Sequence, residues 1–454
     1  MDDHDLSGLT DGVEAIQDAH VDHYIQSWSV QGARPKVIAG GEGSCFWDSD
    51  GKRYLDFQSQ LVNLNLGHQH PKLVQAIKDQ ADTLCYIGPG MGNAARSTLA
   101  RKIAEVMPGD LTSTFFTTGG AVANEHAIRL ARHITGREKV VARFRSYHGA
   151  TATTLALTGD PRHHLISGHA NAGIVRILDP YCYRCPMGRD VPGSCGACTG
   201  AHLEEVLMYE RPETVAAVIL ETVVGTNGII VPPDGYLPAI REICDRHGIL
   251  LILDEVMAGW GRTGRMFACE HWDVVPDIIT TAKGINSGYV PLGAMTVRKG
   301  IADWLRSNMF PGGLTYAGHP LACAVASASI DVYREENIVE TAAARGDTFR
   351  AMLDALAERH PSIGDVRGRG LFLAIELVSN RETRAPLVPY AAKGDAAAPM
   401  QRIMKDAMAR GLYLSFFSNV IRLTPPLNIS EEDLGFARDV LDEVLASADA
   451  LVTG

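Results

Sequence analysis

Two side chains near the middle of the chain have the types and positions that covalent catalysis requires. Lys283 directly follows the strand-like segment 277–282, and Asp254 directly follows four apolar residues, 250–253. A lysine amine becomes a nucleophile when its surroundings remove its charge. A lysine between a strand and a loop is ordinarily solvent-exposed, however, so the role of Lys283 depends on the residues around it.

The apolar residues before Asp254 predict that its carboxylate is largely buried. A buried carboxylate without a cationic partner is energetically costly, so a partner must be present. The partner is either an arginine such as Arg262, which would form a structural salt bridge, or a cationic ligand held inside the fold.

Further polar groups and glycines lie where chemistry takes place in an open α/β sheet, at the carboxyl ends of the strands. Those predicted ends carry Gly119, Gly120, Tyr147, His148, Glu221, Asp254, Glu255 and Lys283. A buried acid, a strand-end lysine and a glycine turn that opens a helix together indicate pyridoxal phosphate. The lysine would form a Schiff base, the acid would keep the pyridine nitrogen protonated, and the helix N-terminus would hold the phosphate.

The elements that position these residues alternate between short β-branched runs and helical patterns. This alternation predicts an α/β domain with a mostly parallel sheet. The predicted strands are 112–118, 139–144, 215–221, 249–256 and 277–282. The predicted helices are 121–135, 200–210 and 236–248, the last ending on Gly248.

The last third of the chain has a different pattern. It predicts long helices over 322–358, a strand over 367–377, helices over 397–410 and 430–447, and a flexible loop over 384–399. We therefore expect a large central domain, 65–325, and a small α+β domain built from both termini, 1–64 and 326–454.

Composition excludes several classes of protein. The chain has 454 residues, 46% of them hydrophobic, and a formal net charge of −11. No block of basic residues stands out, which argues against nucleic acid and anionic membranes as partners. No apolar run is long enough to span a membrane, no secretory signal is visible, and nine scattered cysteines do not form a disulfide framework. We expect a cytoplasmic protein.

Seven motifs in order along the chain resemble those of the class III aminotransferases, the group that contains ω-amino acid, ornithine and 4-aminobutyrate transaminases. They are FWDSDGKRYLDF, TTGGAVANE, SYHGAT, LILDEVMAGWGRTG, TAKGINSGYVPLGA, TYAGHP and IRLTPPL. The resemblance extends over nearly the whole chain. It implies the fold-type I architecture and pyridoxal phosphate as cofactor.

The resemblance also implies roles for the residues around the cofactor ring. Lys283 is the Schiff-base and proton-transferring lysine, and Asp254 is the partner of the pyridine nitrogen. Val256 packs on one side of the ring and Tyr147 stacks on the other. His148, beside Tyr147, belongs to the cofactor-binding set and is not the base, because Lys283 fills that role.

By the same resemblance, the phosphate is held by the glycine pair Gly119-Gly120 and by Ala121, where backbone N–H groups are free at the start of a helix. Thr315 adds its hydroxyl to the phosphate in the neighbouring subunit's site. A homodimer with two interfacial sites follows, with a dimer of dimers as an alternative.

Substrate recognition is assigned to two residues. Arg422 resembles the family arginine that binds an α-carboxylate with its bidentate fork. Glu221 resembles the family glutamate that lies near the cofactor, belongs to the cofactor-binding set and helps to gate that arginine. The expected reaction transfers an amino group from an amine or ω-amino acid to an α-keto acid in a ping-pong cycle. Pyruvate is preferred over 2-oxoglutarate as acceptor, and the donor stays open.

The chain departs from the family pattern at three positions. Met257 stands where many members have a glutamine that bonds the ring hydroxyl of the cofactor. Val122 replaces a common glutamate, and Val62 stands where several amine transaminases keep an aromatic residue. These departures concern the details of the substrate pocket.

Other enzymes share some of these features. An aminomutase, racemase or decarboxylase of the same fold would use the same cofactor motifs. A more distant alternative is a dehydrogenase, because GWGRTG at 259–264 matches a dinucleotide-binding pattern. That pattern requires a helix to begin inside it, and the residues that follow lack helical spacing.

Four cysteines form two C-x-x-C pairs, Cys182 with Cys185 and Cys195 with Cys198. Paired C-x-x-C motifs are typical of a structural zinc site or an iron–sulfur cluster. Four free thiols in a loop rich in glycine and proline are the alternative.

Overall fold

The computed structural model describes residues 12–165, 173–189 and 191–453. Its strands are β1 (Ile38–Glu42), β2 (Cys45–Asp48), β3 (Arg53–Asp56), β4 (Leu111–Thr117), β5 (Lys139–Arg143), β6 (Ile174–Ile177), β7 (Val215–Glu221), β8 (Leu250–Asp254), β9 (Ile278–Thr281), β10 (Gly293–Arg298), β11 (Ile363–Arg369), β12 (Phe372–Asn380), β13 (Ala385–Pro386), β14 (Leu412–Tyr413), β15 (Ser415–Phe417) and β16 (Val420–Leu423). Its helices are α1 (Val13–His23), α2 (Ser59–Val62), α3 (Pro71–Thr83), α4 (Ala94–Val106), α5 (Gly120–Thr135), α6 (Ala152–Leu157), α7 (Ala201–Glu210), α8 (Tyr236–His247), α9 (Lys299–Leu305), α10 (Pro320–Glu335), α11 (Ile338–Arg359), α12 (Ala398–Ala409) and α13 (Glu431–Asp449).

The largest sheet has seven strands in the order β4-β10-β9-β8-β7-β5-β6. Strands β5 to β9 pair in parallel, and β10 is antiparallel to both of its neighbours. All seven residues of β7 are buried, as expected for a central strand covered on both faces. The prediction of an α/β fold with a mostly parallel sheet is confirmed.

The predicted elements of this sheet agree with the structure to within about two residues at their ends, the usual uncertainty of such boundaries. Helix α8 stops before Gly248, which has a φ of 59°. This left-handed conformation costs glycine little and ends the helix. No helix begins within GWGRTG, which forms consecutive turns, so the dinucleotide pattern lacks its required context.

The prediction of one strand over 367–377 is wrong. This stretch contains the end of β11, a turn and the start of β12, which pair antiparallel as a hairpin. The turn lies at Gly370, whose φ of 54° reverses the chain. The apolar residues on both sides of the turn concealed it.

Segments from the two ends of the chain meet in a second sheet, of order β1-β2-β3-β14, in which Leu412 of β14 lies opposite Leu55 of β3. A third sheet has the order β11-β12-β16-β15, with β13 added beside β12. The domain boundaries stay a prediction. Among the described ranges, no helix has both the length and the apolar character needed to cross a membrane.

Helix α11 packs directly on the hairpin turn through Gly346. A Cβ atom added at Gly346 would lie 2.4 Å from the backbone of Gly370, closer than any real packing contact. We expect Gly346→Ala to lower the free energy of unfolding by about 1–3 kcal/mol, because the backbone must shift. Gly435→Ala is the matched control, since Gly435 also lies in a helix but has nothing within 4 Å of the added atom. It should stabilise by about 0.5–1 kcal/mol. Urea unfolding compares the two, and equal effects would contradict this packing.

Candidate active site

A cavity of about 330 Å³ opens at the carboxyl ends of β7, β8 and β9 and at the start of α5. Nine residues assigned from the sequence line it: Gly119, Gly120, Ala121, Tyr147, His148, Glu221, Asp254, Val256 and Lys283. A larger open groove of about 800 Å³ lies between α7 and α8, away from all of these residues. The structure therefore brings these nine residues together at the edge of the sheet that the topology indicated, whereas Thr315 and Arg422 are not among the residues that line the cavity.

The carboxylate of Asp254 is buried and accepts three hydrogen bonds. Its Oδ2 accepts from Asn124 Nδ2 at 2.7 Å and contacts His148 Nδ1 at 2.8 Å, and its Oδ1 accepts from the N–H of Val256 at 3.0 Å. Arg262 is not its partner, because that guanidinium donates to backbone carbonyls and to a side-chain amide elsewhere. The alternative of a structural salt bridge to Arg262 is thus excluded.

Asn124 was not identified from the sequence. Its amide donates to Asp254 and, at 2.9 Å, to the carbonyl of His148, while its Oδ1 accepts from the hydroxyl of Thr280 at 2.6 Å. Asn124 therefore links α5, β8 and β9 and fixes the orientation of the carboxylate. The feature of the sequence that could have indicated Asn124 is that it is a polar residue among the apolar positions of the buried face of α5.

Lys283 lies in a strained position at the wall of the cavity. Its φ of 48° is in the left-handed region, which costs a lysine about 1–3 kcal/mol and is typical of functional sites. Burial lowers the pKa of Lys283 to about 8, although the nearby carboxylates of Asp254 and Glu221 act in the opposite direction. A large fraction of the amine is therefore neutral near pH 8 and can act as a nucleophile or base.

Glu221, at the end of β7, is held by backbone amides. Its Oε1 accepts from the N–H of Tyr147 at 2.9 Å and its Oε2 from the N–H of Gly225 at 2.8 Å. Burial raises the pKa of Glu221, and the charge of Asp254 raises it further. The carboxylate is thus fixed in place beside Tyr147.

The start of α5 has the features of an anion-binding site. Helix α5 has 16 residues, and its cap residue Gly119 makes no side-chain hydrogen bond to the first turn, which leaves the N–H groups of that turn free. A Cβ atom on Gly120 would lie 2.7 Å from Val256 Cγ2, so only glycine allows this approach. Free N–H groups and the positive end of the helix dipole favour a phosphate here.

The ring of Tyr147 is in contact with a guanidinium, that of Arg162, which the sequence analysis did not assign to the site. The guanidinium of Arg162 lies 4.0 Å from the centre of the Tyr147 ring and 5.1 Å from that of Trp28. Arg162 also pairs with the buried carboxylate of Asp160 at 3.0 Å. Trp28 is far from Arg162 in the sequence, and the loop geometry that brings Arg162 onto Tyr147 is not visible in residue spacing, so these ring contacts could not be predicted from the sequence.

Arg422, in β16, is only partly satisfied. Its Nε is buried and lacks a hydrogen-bond partner among the described residues. Burial lowers the pKa of Arg422 to about 10, and the charge of Arg162 lowers it further. A buried N–H group without an acceptor is costly, which fits a site for an anionic group.

Two further predictions concern residues at the edge of the site. Thr315 is exposed, and its carbonyl accepts from the hydroxyl of Tyr86 at 2.8 Å. Its role in a partner's site stays a prediction. Met257 lines the cavity, and its sulfur accepts from the hydroxyl of Thr226 at 3.6 Å.

The four-thiol cluster, Cys182, Cys185, Cys195 and Cys198, packs together as the spacing predicted. Sulfur–sulfur distances are 3.7 Å from Cys182 to Cys198 and 3.3 Å from Cys195 to Cys198. In the described parts of the chain, however, no three His, Cys, Asp or Glu side chains are arranged to hold a metal ion. The predicted zinc or iron–sulfur site therefore finds no support in the geometry.

The residues of the cavity fit pyridoxal phosphate. The lining includes a nucleophilic amine, a buried carboxylate and N–H groups at a helix start, which suit its aldehyde, pyridine nitrogen and phosphate. The side chains of Val256 and Tyr147 also line the cavity and suit the two faces of its ring. The family model described as aminotransferase class-III matches residues 29–445.

Individual relatives give the same result. The chain is 36% identical over 438 residues to an adenosylmethionine-8-amino-7-oxononanoate aminotransferase from Nitratidesulfovibrio vulgaris, covering 93% of this chain and 79% of that one. It is 35% identical over 432 residues to a putrescine–pyruvate aminotransferase from Pseudomonas aeruginosa, covering 92% of each. The structure is also similar to a solved structure of a taurine:2-oxoglutarate aminotransferase from Bifidobacterium kashiwanohense, in complex with PLP and glutamate. The TM-score is 0.92 and the sequence identity is 40%, and the match covers 96% of this chain and 98% of that chain. The chain therefore belongs to the class III aminotransferases, fold-type I enzymes that use pyridoxal phosphate.

Proposed function

We propose that this aminotransferase moves an amino group from a primary amine or ω-amino acid to an α-keto acid in a ping-pong cycle, with pyruvate preferred over 2-oxoglutarate. The observation that carries the proposal is the convergence of Lys283, Asp254 and the start of α5 on one cavity. Pyridoxal phosphate, when bound, would carry the amino group between the two half-reactions and withdraw electrons from the reacting carbon.

Lys283 performs two tasks in this proposal. Its amine would hold the cofactor covalently in the resting enzyme, and it would move a proton at the amino-bearing carbon of the substrate. A pKa of about 8 suits both tasks, because the amine can accept a proton and release it near neutral pH. His148 does not compete for this role, since its Nδ1 is engaged with Asp254.

Asp254 would keep a proton on the pyridine nitrogen. Asn124 and His148 hold its carboxylate so that it cannot rotate away, and its burial strengthens its interaction with a cation. Val256 and Tyr147 would enclose the two faces of the ring. These contacts orient the cofactor without taking part in bond making.

The phosphate would be bound by the N–H groups at Gly120 and Ala121, next to Gly119. The partner's Thr315 would complete that site, which makes the functional unit a homodimer. Support comes from the position of Thr315, which is exposed and lies outside the cavity of its own subunit.

Arg422 would bind the α-carboxylate of the keto acid, because its buried Nε is without an acceptor. Glu221 would help to gate it. In the structure Glu221 accepts from two backbone amides. An alternative position of Arg422, paired with Glu221, would remove its charge from the pocket when a donor without a carboxylate binds.

The charges around Lys283 favour a substrate with an anionic group. Both Arg422 and Arg162 are close enough to lower the pKa of Lys283 by their charge. An ω-amino acid carries its amine and its acid at opposite ends, which matches a cavity with an amine-reactive lysine and cations nearby. Two of the three named relatives carry different acceptors in their names, pyruvate and 2-oxoglutarate. A donor panel in which alanine or glutamate formation is measured would test both donor class and acceptor preference.

Lys283→Ala should remove the covalent link to the cofactor and nearly all turnover, because one amine is both nucleophile and proton carrier. The measurement is absorbance that stays with the denatured protein after borohydride reduction, together with the rate of amino transfer. Lys299→Ala is the control, since Lys299 is an exposed lysine of α9 paired with Asp303. Chromophore that remains fixed in Lys283→Ala would mean that another lysine binds the cofactor.

Asp254→Asn keeps the size of the side chain but removes its charge, so the pyridine nitrogen should lose its proton. We expect proton abstraction from the donor to slow by about 10²–10⁴-fold, the range for a positioned acid or base. Single-turnover absorbance changes measure this step. Asp303→Asn, which removes an exposed carboxylate far from the cavity, should leave the rate unchanged. Near-normal kinetics in Asp254→Asn would disprove the role.

Arg422→Ala should affect the two half-reactions unequally. Losing a buried charge-assisted pair costs about 2–5 kcal/mol, and about 3 kcal/mol corresponds to a loss on the order of a hundredfold in kcat/KM for the keto acid. An amine donor without a carboxylate should lose far less. Stopped-flow measurement of each half-reaction separates the effects. Equal losses would show that Arg422 supports the fold or the cofactor instead.

A further inference from the structure

A second guanidinium, besides that of Arg422, stands beside the cavity. Arg162 lies 4.0 Å from the centre of the Tyr147 ring, and Tyr147 lines the cavity. The same guanidinium lies 5.1 Å from the centre of the Trp28 ring. The side chain of Arg162 is 25% exposed, and Trp28 is exposed. The guanidinium is therefore packed against two aromatic rings at a place that solvent still reaches.

The carboxylate of Asp160 orients this guanidinium through one edge only. Arg162 Nε donates to Oδ1 and to Oδ2 of Asp160 at 3.0 Å each, and Arg162 Nη2 also donates to Oδ2. Within the part of the chain that the structure describes, Arg162 Nη1 donates to no acceptor. Asp160 is fully buried, so the pair holds the guanidinium in a fixed orientation. Nη1 stays able to donate to a second acid.

The positive charge of Arg162 acts on the reacting groups in spite of this pair. Burial is the main cause that lowers the pKa of Lys283 and the pKa of Arg422, and the charge of Arg162 lowers both further. Two cations from distant elements thus act on one cavity, Arg422 from β16 and Arg162 from the segment after α6. A single carboxylate needs only one of them.

The two acid groups in the proposed reaction lie at different positions. In an α-keto acid the carboxylate is bonded directly to the reacting carbon. In an ω-amino acid at least one more carbon separates the acid group from the amino-bearing carbon, so the acid group extends farther from the amine of Lys283. A guanidinium placed well for one of these positions is poorly placed for the other. Two separate guanidinium groups meet this requirement.

We propose that Arg162 binds the distal acid group, a carboxylate or a sulfonate, of an ω-amino acid donor, whereas Arg422 binds the α-carboxylate of the keto acid. This inference rests on the proposed transamination and assigns its donor class. The contacts with Asp160 and with the ring of Tyr147 orient the guanidinium before a donor binds, which lowers the cost of forming the new contact. Arg162 therefore selects donors by the group at the end opposite to the amine.

Two donors that differ only at that end test the role of Arg162. 3-Aminopropanoate and propylamine have the same amine and the same chain length, but only the first carries an acid. In Arg162→Gln the ratio of kcat/KM for 3-aminopropanoate to that for propylamine should fall about ten- to hundredfold, the range for a hydrogen bond to a charged group. 2-Aminoethanesulfonate is the second arm, and the acid whose ratio falls more is the preferred one. The half-reaction with pyruvate should change far less.

Three further variants control this comparison. Arg145→Gln removes a neighbouring guanidinium that contacts two other tyrosine rings, at 5.0 and 4.8 Å, and should keep the wild-type ratio. Arg162→Lys retains a cation and should keep more of the preference for the acid than Arg162→Gln does. Because Arg162→Gln leaves a buried carboxylate unpaired, the double variant Asp160→Asn/Arg162→Gln repeats the measurement with both charges removed.

Equal losses for the acid donors and for propylamine would overturn the inference, because Arg162 would then only support the ring of Tyr147. A loss of the same size in the pyruvate half-reaction, or in Arg145→Gln, would also overturn it. Calorimetry with 3-hydroxypropanoate, which has no amino group to transfer, provides a measurement that does not depend on turnover. Its affinity for the holoenzyme should fall in Arg162→Gln.

This binding measurement separates the inference from the proposed reaction. If the affinity for 3-hydroxypropanoate fell in Arg162→Gln but the wild-type enzyme transferred no amino group from any of the three amines, the proposed reaction alone would be wrong. If the wild-type enzyme were active but neither the affinity nor the donor ratios changed in Arg162→Gln, only the role of Arg162 would be wrong.

Discussion

The buried carboxylate of Asp254 is the constraint on which the active site depends. A charge in this position must be compensated, and in the described structure its hydrogen-bond partners are the amide of Asn124, the N–H of Val256 and the ring of His148. These groups come from α5, from the end of β8 and from the loop after β5. The same carboxylate therefore ties the helix that presents its N-terminus to the strands that carry the remaining polar groups. A cationic pyridine ring would be a further partner, since it would add a positive charge directly against the carboxylate.

The pKa of Lys283 depends on the charged groups that surround its amine. Burial disfavours the ammonium form of Lys283, the carboxylates of Asp254 and Glu221 favour it, and the guanidinium groups of Arg422 and Arg162 oppose them. The result is a pKa of about 8, close to the pH at which a proton-transferring amine is most useful. Each of these five groups belongs to a different element or loop, so the reactivity of the lysine is a property of the assembled fold.

The sequence predicted those parts of the molecule that depend on local pattern. The predicted strands and helices of the seven-stranded sheet agree with the structure to within about two residues, whereas the hairpin of β11 and β12 is predicted as one strand. Asp254 and Lys283 are placed at one sheet edge because parallel strands end together. Features that arise from distant contacts were not accessible. Asn124 reads as an ordinary helical residue until Thr280 and Asp254 lie beside it, and Arg162 acquires its significance only from the ring of Tyr147. The spacing of the cysteines predicted that they meet, but spacing alone does not distinguish ligands around a metal from thiols in contact.

Arg422 raises the question of how one pocket handles two kinds of substrate. Its Nε is buried and lacks an acceptor among the described residues, a state that costs free energy until an anion binds. In the proposed reaction, a keto acid that placed its carboxylate on Arg422 would recover that cost, so its binding would be favoured by relief of an existing penalty as well as by a new contact. A donor without a carboxylate leaves the penalty in place unless the arginine moves. Because Glu221 is already held by two backbone amides, an arginine that turned toward it would meet a fixed acceptor and would need no rearrangement of the acid. In the proposed reaction, the guanidinium that would select the keto acid would thus also define what an amine donor must tolerate.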